Sequence, residues 1–453
     1  DNEINGITFA GVGSGTQVDH IEVAFNLDDG VEFFGGTVNV AYVSVLFVGD
    51  DAIDTDEGYA GTIQFAYVVL AEDSNHGAEM DSKEEALNDF SRSFPTVYNA
   101  HFVGHLQNAV GSVSTDDTTE AILRLREGTG GVFANLIITN VGSAGVFQND
   151  CAGEQFTTDL SDVSPVADSN KNFLFFSENN IINLGNGNGV AFDVQASCSM
   201  MFDTSRNEDP GLVMQVGNPS TSTPFFDPRP LSTSGPAYSF VDDVVVGNSF
   251  LVQTNYKGAF STSDNWLVGL SWLDENARTP DNVAGVYTSG DITTDTTWTN
   301  DAPILLTGQV FVRGATLTIE AGTMIMAYRD DGTDSGVAPA LVIERDASII
   351  AVGAQNNPIT FTSAVSAGNL PQQGLWGGLI INGNAPVFGS DSAPFQDLLV
   401  EGLEGTNSFY GGNDPNDNSG TLSYVRVWYG GSVIGADNEI NGITFAGVGS
   451  GTQ

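Results

Sequence analysis

The sequence predicts an all-β protein, a right-handed parallel β-helix with coils of about 22 residues. Three observations lead to this fold class. Short apolar or alternating runs recur along the chain, runs with helical spacing are nearly absent, and acidic pairs recur at a constant interval. A fold of this kind returns the chain to the same edge once in every coil.

The apolar runs are four to eight residues long and bounded by Gly, Asn or Asp, which is typical of strands. Gly and Asn at the corners supply the left-handed backbone conformations that tight bends need. The stretch 82–90, SKEEALNDF, has the best helical spacing and predicts one or two helical turns. The clearest strand runs are 21–25, 43–48, 63–70, 317–322 and 340–345.

The acidic pairs set the predicted coil length. Asp28–Asp29, Asp50–Asp51 and Glu72–Asp73 lie 22 residues apart, each after an apolar run. A coil of that length places the same corner above itself at the strand spacing of ~4.8 Å. We therefore expect the three pairs to line up along one edge.

Charge excludes several classes of partner. The 453 residues include 57 Asp and Glu against 13 Lys and Arg, a formal net charge of −44. This field repels nucleic acid and anionic lipid, so neither is expected as a partner. No apolar run approaches the ~20 residues of a membrane span, and we expect no membrane insertion. Such a surface attracts divalent cations and stays soluble in strong salt, which favours sea water or brine.

Cys151 and Cys198 are too few for a disulfide framework, and their surroundings lack a metal-ligand spacing. We expect them to form a single disulfide, and two free buried thiols are the alternative. The sequence shows no signal peptide, so we expect it to begin after any export signal or inside a longer chain.

The two ends of the sequence are identical, because residues 1–17 and 437–453 both read DNEINGITFAGVGSGTQ. The sequence thus spans one full period and a short overlap. Either a larger protein repeats this unit in tandem, or a periodic or permuted sequence is cut at an arbitrary point. The most linker-like stretch is 274–285. We predict a seam between units there, the N-terminal part of a β-helix unit in 286–453, and its C-terminal part in 1–273.

Several motifs together resemble a known group of proteins. They include LTIEAGT, ALVIERDASIIAVGAQNNPITFTS, GLWGGLIINGNAP and GDDAIDTDEGY. In this combination the chain resembles large secreted bacterial proteins, mostly uncharacterised, whose right-handed β-helix is similar to that of pectin lyases. The resemblance implies that fold and a location outside the cell or at its surface. With the acidic composition, it favours a Gram-negative marine or halophilic bacterium.

The acidic pairs and their neighbours form the clearest candidate metal site. Like charges on adjacent coils cannot all stay ionised without a counter-ion. Carboxylate oxygens in a flexible arrangement suit calcium, so Ca²⁺ is the expected ion. A solvated, salt-screened acidic face without a specific ion is the alternative. The predicted ligands are Asp28, Asp29, Asp50, Asp51, Asp54 and Asp56.

The same region allows an enzymatic interpretation. The segments NLDDG, GDDAID and SNHG follow one another in an order similar to the polygalacturonase pattern. By position, Asp28 would act with Asp50 or Asp51 as the acid and base at a glycosidic bond. His76 would support them, although it lacks the preceding glycine of that pattern. No Arg-x-Lys motif follows at the expected coil.

Two functions follow. The first is a structural or adhesive module of an extracellular fibre, filament or large tandem-repeat protein, stabilised by cations and joined end to end with copies of itself. The repeated segment motivates it, because open ends of stacked strands must be capped or covered. The alternative is a polysaccharide-degrading or carbohydrate-binding β-helix that uses the acidic residues and His76.

Overall fold

A computed structural model of the chain shows parallel strands stacked in successive coils. Within the part of the chain that the structure describes, no helix is both long and apolar enough to cross a membrane. The predicted helical turns at 82–90 lie outside the described residues except for Ser82. The structure describes residues 4–82, 92–106, 121–166, 171–185, 187–203, 207–214, 219–220, 225–329, 338–388, 394–395, 397–400, 403, 408–435 and 438–453.

The first stack of coils begins near residue 4 and ends near residue 194. Its strands are β1 (Ile7–Ala10), β2 (Gln17–Ala24), β3 (Val31–Phe34), β4 (Asn39–Leu46), β5 (Ile53–Asp56), β6 (Thr62–Val69), β7 (Ala78–Met80), β8 (Thr96–Tyr98), β9 (His101–Val103), β10 (Ala121–Leu125), β11 (Gly131–Ala134), β12 (Ile137–Thr139), β13 (Ala144–Gln148), β14 (Phe156–Thr157), β15 (Leu174–Phe176), β16 (Ile181–Asn183) and β17 (Val190–Val194). Sheet A has the order β1-β3-β5-β7-β10-β13-β17. Sheet B contains β2, β4, β6, β8, β9, β11, β12, β14, β15 and β16.

The second stack follows a short helix, α1 (Trp272–Glu275). Its strands are β18 (Val286–Ile292), β19 (Thr296–Trp298), β20 (Ile304–Val312), β21 (Thr316–Ile319), β22 (Met324–Ala327), β23 (Leu341–Ile343), β24 (Ser348–Val352), β25 (Ile359–Ser363), β26 (Leu379–Asn382), β27 (Val387–Phe388), β28 (Pro394–Phe395), β29 (Leu398–Leu399), β30 (Phe409–Tyr410), β31 (Gly420–Ser423), β32 (Val425–Val427), β33 (Val433–Gly435), β34 (Asn438–Glu439) and β35 (Ile443–Ala446). Sheet C has the order β32-β25-β22-β20-β23-β26-β35, and sheet D the order β19-β21-β24-β31. Antiparallel pairing joins β27 to β28, β29 to β30 and β33 to β34.

The coils differ in length, which corrects the single 22-residue period expected from the sequence. The strands keep their register while the corners between them vary, since loops tolerate insertions better than paired strands do. The direction of winding stays a prediction. The paired residues in sheet A include Val31 with Ile53 (22 positions on), Asp54 with Glu79 (25 positions on) and Ala78 with Leu123 (45 positions on).

The core lies inside the stacked coils. Ile7, Val31 and Ile53 form one inward column of sheet A, and β6 is buried along its whole length. Burial of each such aliphatic side chain contributes roughly 1.5–3 kcal/mol. Because alternate residues of a strand point to opposite faces, the residues between these core positions face outward and form a separate surface.

Sheet B bends within its coils at residues with positive φ. These are His20, Tyr42 and Phe65 in β2, β4 and β6, followed at the same position by Asn99 and Asn135. Asparagine adopts this conformation more readily than most residues. The aromatic residues stack across the coils, with ring centroids 4.3 Å apart for His20 and Tyr42 and 4.7 Å for Tyr42 and Phe65. The bend is therefore supported by contacts between coils.

Residues 225–271 contain no strand and lie against the outside of sheet B. The side chain of Gln64 donates to the carbonyl of Val252 at 2.8 Å and accepts from its N–H at 2.9 Å. In the stretch 274–285, Ala277 and Thr279 are buried. The seam between units predicted for that stretch stays a prediction.

Cys151 and Cys198 form a disulfide, with their Cα atoms 5.4 Å apart. Cys151 follows β13 and Cys198 follows β17, so the bond joins two coils that are neighbours in sheet A. Neither thiol is free.

Candidate functional site

The outward face of sheet A forms a cleft of about 530 Å³, here called the acidic cleft. Its walls carry nine carboxylates and one guanidinium, so its charge is strongly negative when the carboxylates are ionised. The ionisable residues that line it are Asp28, Asp29, Glu32, Asp50, Asp51, Asp54, Asp56, Glu79, Asp81 and Arg126.

Strand register creates this concentration of charge. Glu32 of β3 pairs with Asp54 of β5, and Asp54 pairs with Glu79 of β7. All three alternate with buried, inward-facing residues of their strands and therefore point to the outward face. Like charges directly opposite each other on a sheet are destabilising, so this column needs protons or cations to offset the repulsion.

The predicted ladder is present for its first two pairs. The N–H of Asp51 donates to Oδ1 of Asp29 at 3.1 Å, and the N–H of Gly30 donates to the carbonyl of Asp51 at 2.8 Å. Residues 28–29 and 50–51 thus lie on adjacent coils, as the 22-residue interval predicts.

The prediction for the third pair was wrong. Glu72 and Asp73 are exposed and do not line the cleft. Asn75 and His76 take their place, since their N–H groups donate to the Asp50 carbonyl at 3.2 Å and to Oδ1 of Asp51 at 2.7 Å. The coil between β5 and β7 is three residues longer than the one before it, which moves the acidic pair onto the corner.

Four groups of three side chains could hold a metal ion, because their ligand atoms lie within 4.8 Å of one another. Five of the six predicted metal ligands belong to these groups, and the sixth, Asp56, lines the cleft. Sequence reasoning missed Glu32, Glu79 and Asp81. Their outward positions in the alternating strands were the signal that could have found them. The groups are Asp28–Asp29–Asp50, Asp29–Glu32–Asp54, Asp51–His76–Glu79 and Asp54–Glu79–Asp81.

Burial and mutual repulsion raise the pKa of carboxyl groups in the cleft. Burial, and then the charges of Asp51 and Asp50, raise the pKa of Asp29 to about 9. Burial raises the pKa of Glu32 to about 7. The pKa of Asp54 is also raised well above its usual range by burial and neighbouring carboxylates. A divalent cation would reverse these shifts, because it favours the charged forms.

Two carboxylate oxygens of the cleft are buried without a hydrogen bond, Oδ1 of Asp54 and Oδ1 of Asp81. A buried acceptor in this state costs roughly 1–3 kcal/mol, and more when it is charged. Calcium takes six to eight oxygen ligands in flexible geometry. The donor atoms present therefore fit a hard divalent cation.

Two arginines, Arg124 and Arg126, lie at one end of the acidic cleft and pair with its carboxylates. Arg124 in β10 places Nη1 at 2.8 Å from Oε1 of Glu79. Arg126, just after β10, places Nη2 at 3.3 Å from Oε2 of Glu79 and Nε at 2.5 Å from Oδ2 of Asp81. The sequence has no Arg-x-Lys motif at the expected coil, and these two arginines form an Arg-x-Arg pattern instead. The cleft thus passes from a region rich in carboxylates near Asp28 to a charge-paired region at Glu79.

A family model described as a pectate-lyase-like β-helix domain matches residues 1–197 and 290–453. The chain belongs to this family. The resemblance to pectin-lyase-like β-helices is thereby confirmed, and the acidic cleft of this pectate-lyase-like β-helix lies within the first matched range. Comparison with curated proteins and with solved structures gave no match.

In this pectate-lyase-like β-helix, the four candidate catalytic residues lie together, and their catalytic role stays a prediction. His76 is fully buried, and its Nδ1 lies 2.7 Å from Oδ1 of Asp51. It therefore orients Asp51 from beneath the cleft. Oxygens of Asp28 and Asp50 approach within 4.8 Å.

Proposed function

We propose that this pectate-lyase-like β-helix binds an acidic polysaccharide through calcium held in the acidic cleft. The observation that carries the proposal is the set of four ligand groups whose atoms lie within 4.8 Å. Without a cation, nine carboxylates would repel a chain of uronic acids. Calcium has enough coordination positions to bind protein carboxylates and a sugar carboxylate together.

The layout of the cleft favours a polymer over a small ligand. Strands β3, β5 and β7 each contribute at least one carboxylate, so acidic groups repeat along the stack at about one strand spacing, ~4.8 Å. A uronic-acid chain likewise carries one carboxylate on every sugar. Several calcium ions could then bridge successive sugars to successive coils.

We place this activity outside the cell or at the cell surface of a marine or halophilic bacterium. The disulfide between Cys151 and Cys198 is a bond that persists in oxidising surroundings. The net charge of −44 keeps the chain soluble at high ionic strength.

Calorimetric titration of the chelator-treated chain with CaCl₂, followed by polygalacturonate in CaCl₂ or EDTA, tests the proposal. We expect calcium to bind first, and polygalacturonate to bind only in its presence. The double variant Asp29→Asn, Asp54→Asn should weaken both events, because the two residues together belong to three of the four ligand groups. The matched control is Glu72→Gln, Asp73→Asn, which removes two exposed charges outside the cleft. Equal loss in both variants, or binding that persists in EDTA, would contradict the proposal.

A structural or adhesive role is the second candidate, favoured by the repeated segment at 1–17 and 437–453. We propose it for a fibre, filament or large tandem-repeat protein. The molecular mass of the native chain tests it. A mass of several units supports tandem repetition, whereas dispersed particles of a single unit contradict this role.

A further inference from the structure

The segment that occurs twice forms the same strand at both places. Its residues Ile7–Ala10 form β1 on sheet A, and their counterparts Ile443–Ala446 form β35 on sheet C. The glycine after each strand has nearly the same backbone angle, with φ of 63° at Gly11 and 62° at Gly447. The local conformation is therefore a property of the segment, although its neighbours differ.

The two copies are paired along opposite edges. In the first copy, the N–H groups of Ile7 and Gly11 donate to carbonyls of the β3 coil, at 2.9 Å each. In the second copy, the carbonyls of Gly442 and Ala446 accept from the N–H groups of the β26 coil, at 3.0 and 2.8 Å. Gly442 and Ala446 correspond to Gly6 and Ala10. These bonds use different backbone groups, so one copy of the segment could pair with both neighbours at once.

The glycines of the segment match both neighbours. A Cβ on Gly6 would lie 2.4 Å from Cγ1 of Val23 and 2.7 Å from the carbonyl of Gly30, whereas a Cβ on its counterpart Gly442 meets nothing nearer than 3.7 Å. The reverse holds for another position. A Cβ on Gly449 would lie 2.4 Å from a backbone nitrogen, whereas its counterpart Gly13 has open space. The surroundings of the first copy require the glycine at position 6, and those of the second copy require the glycine at position 449. The two surroundings together account for both glycines.

The second copy also leaves apolar surface uncovered on the edge that β3 covers in the first. Ile443 and Phe445 are 39% and 53% exposed, while their counterparts Ile7 and Phe9 pack against the core of the first stack. Covering that edge with a β3-like strand would bury this surface.

We infer that a second copy of this chain docks end to end at this coil. Residues 440–453 of one copy take the place of residues 4–17 in the next and stack on its β3 coil. In this joint, β26, β35 and the partner's β3 become successive strands of one sheet. The registers of the two copies combine to place Leu379, Ile443 and the partner's Val31 in one inward column. The joint uses different surfaces on its two sides, so it repeats into a linear polymer.

The same substitution in the two copies tests the joint, because its expected effects are opposite. Gly442→Ala is tolerated in its own chain, but in the joint its Cβ would clash with the partner's Gly30 carbonyl, so we expect association to be lost. Gly6→Ala weakens the attachment of a chain's own first copy and frees β3 for a partner, so we expect association to increase. Sedimentation velocity of the full chain over a range of concentrations measures both, and far-ultraviolet circular dichroism checks folding. The inference is overturned if Gly442→Ala associates like the parent, or if the parent and Gly6→Ala both stay monomeric.

A cysteine pair tests the register independently of stability. In the joint, Ala446 takes the place of Ala10, which pairs with Phe34. Mixing a chain that carries Ala446→Cys with one that carries Phe34→Cys should therefore give a covalent dimer on oxidation. Asp56→Cys is the control, because Asp56 lies one coil beyond Phe34, at ~9.6 Å from the joint position and outside disulfide reach. Equal yields with both partners, or no dimer with Phe34→Cys, would refute the joint. The outcome is independent of calcium or polysaccharide binding.

Discussion

Above pH 9, Asp29→Asn should change stability in opposite directions with and without calcium. Asp29 belongs to two ligand groups, and the ligand atoms in each lie within 4.8 Å. At that separation and an effective dielectric constant near 20, each fully ionised pair repels by roughly 3.5 kcal/mol. Asparagine keeps an oxygen that can accept from the N–H of Asp51 but removes the charge. The substitution therefore isolates the electrostatic role of this residue.

The pKa of Asp29, raised to about 9, determines where the repulsion acts. In chelator at pH 7 the side chain is mostly protonated, so we expect a change of less than about 1 kcal/mol in the free energy of unfolding. Above pH 9 the parent side chain is ionised, and asparagine should stabilise by up to about 3 kcal/mol. In calcium the charged form is required. There we expect at least a tenfold loss of affinity, which is about 1.4 kcal/mol.

Urea unfolding followed by circular dichroism, at pH 7 and pH 9.5 in EDTA or CaCl₂, measures these differences. Asp73→Asn is the control, since this exposed residue should change stability by no more than about 0.5 kcal/mol under any of the four conditions. If Asp29→Asn destabilises equally in EDTA and in CaCl₂, its carboxylate acts only as a hydrogen-bond acceptor. The electrostatic reasoning would then be refuted.

Three further predictions concern stability. In EDTA the free energy of unfolding should fall as pH rises from about 4 towards 9. The folded pKa values of Asp29 and Glu32 lie above their unfolded ones, so the unfolded chain loses these protons at lower pH. Thermal scans across this pH range measure the change. A flat profile would contradict this. Asp227→Asn should lower the free energy of unfolding by about 3–5 kcal/mol, because it leaves the fully buried Arg229 without its carboxylate partner. Urea unfolding measures this loss, and a loss below about 1 kcal/mol would contradict a stabilising ion pair. Replacing both cysteines by serine should lower stability by about 2–4 kcal/mol, and dithiothreitol should have the same effect on the parent but none on the variant.

Much of the fold follows from the sequence because alternation and apolar runs specify strands directly. The run at 63–70 corresponds to β6 within one residue at either end, and the run at 43–48 overlaps the second half of β4, which begins four residues earlier. The 22-residue interval between 28–29 and 50–51 also predicted the stacking correctly, because paired residues of β3 and β5 are likewise 22 positions apart. These features depend on local sequence patterns and not on which distant segments become neighbours.

The rest of the site depends on which coils become neighbours. Arg124 reaches Glu79 across a coil of 45 residues, and no local pattern sets the length of that corner. His76 reaches Asp51 because of three extra residues in the preceding coil, which leave the alternation of β5 and β7 unchanged. The amino-acid pattern therefore does not show which residues pair when the strands are separated by long corners.

The unequal coils mean that the ligand-binding face can be altered without redesigning the scaffold. Between β5 and β7, three additional residues exchange an acidic pair for an amide and an imidazole, while the strands on both sides stay paired. A mutation that lengthens a corner can thus change the chemistry at one level of the stack and leave the adjacent levels intact. Small insertions, as much as point substitutions, give such a protein a route to new ligand preferences.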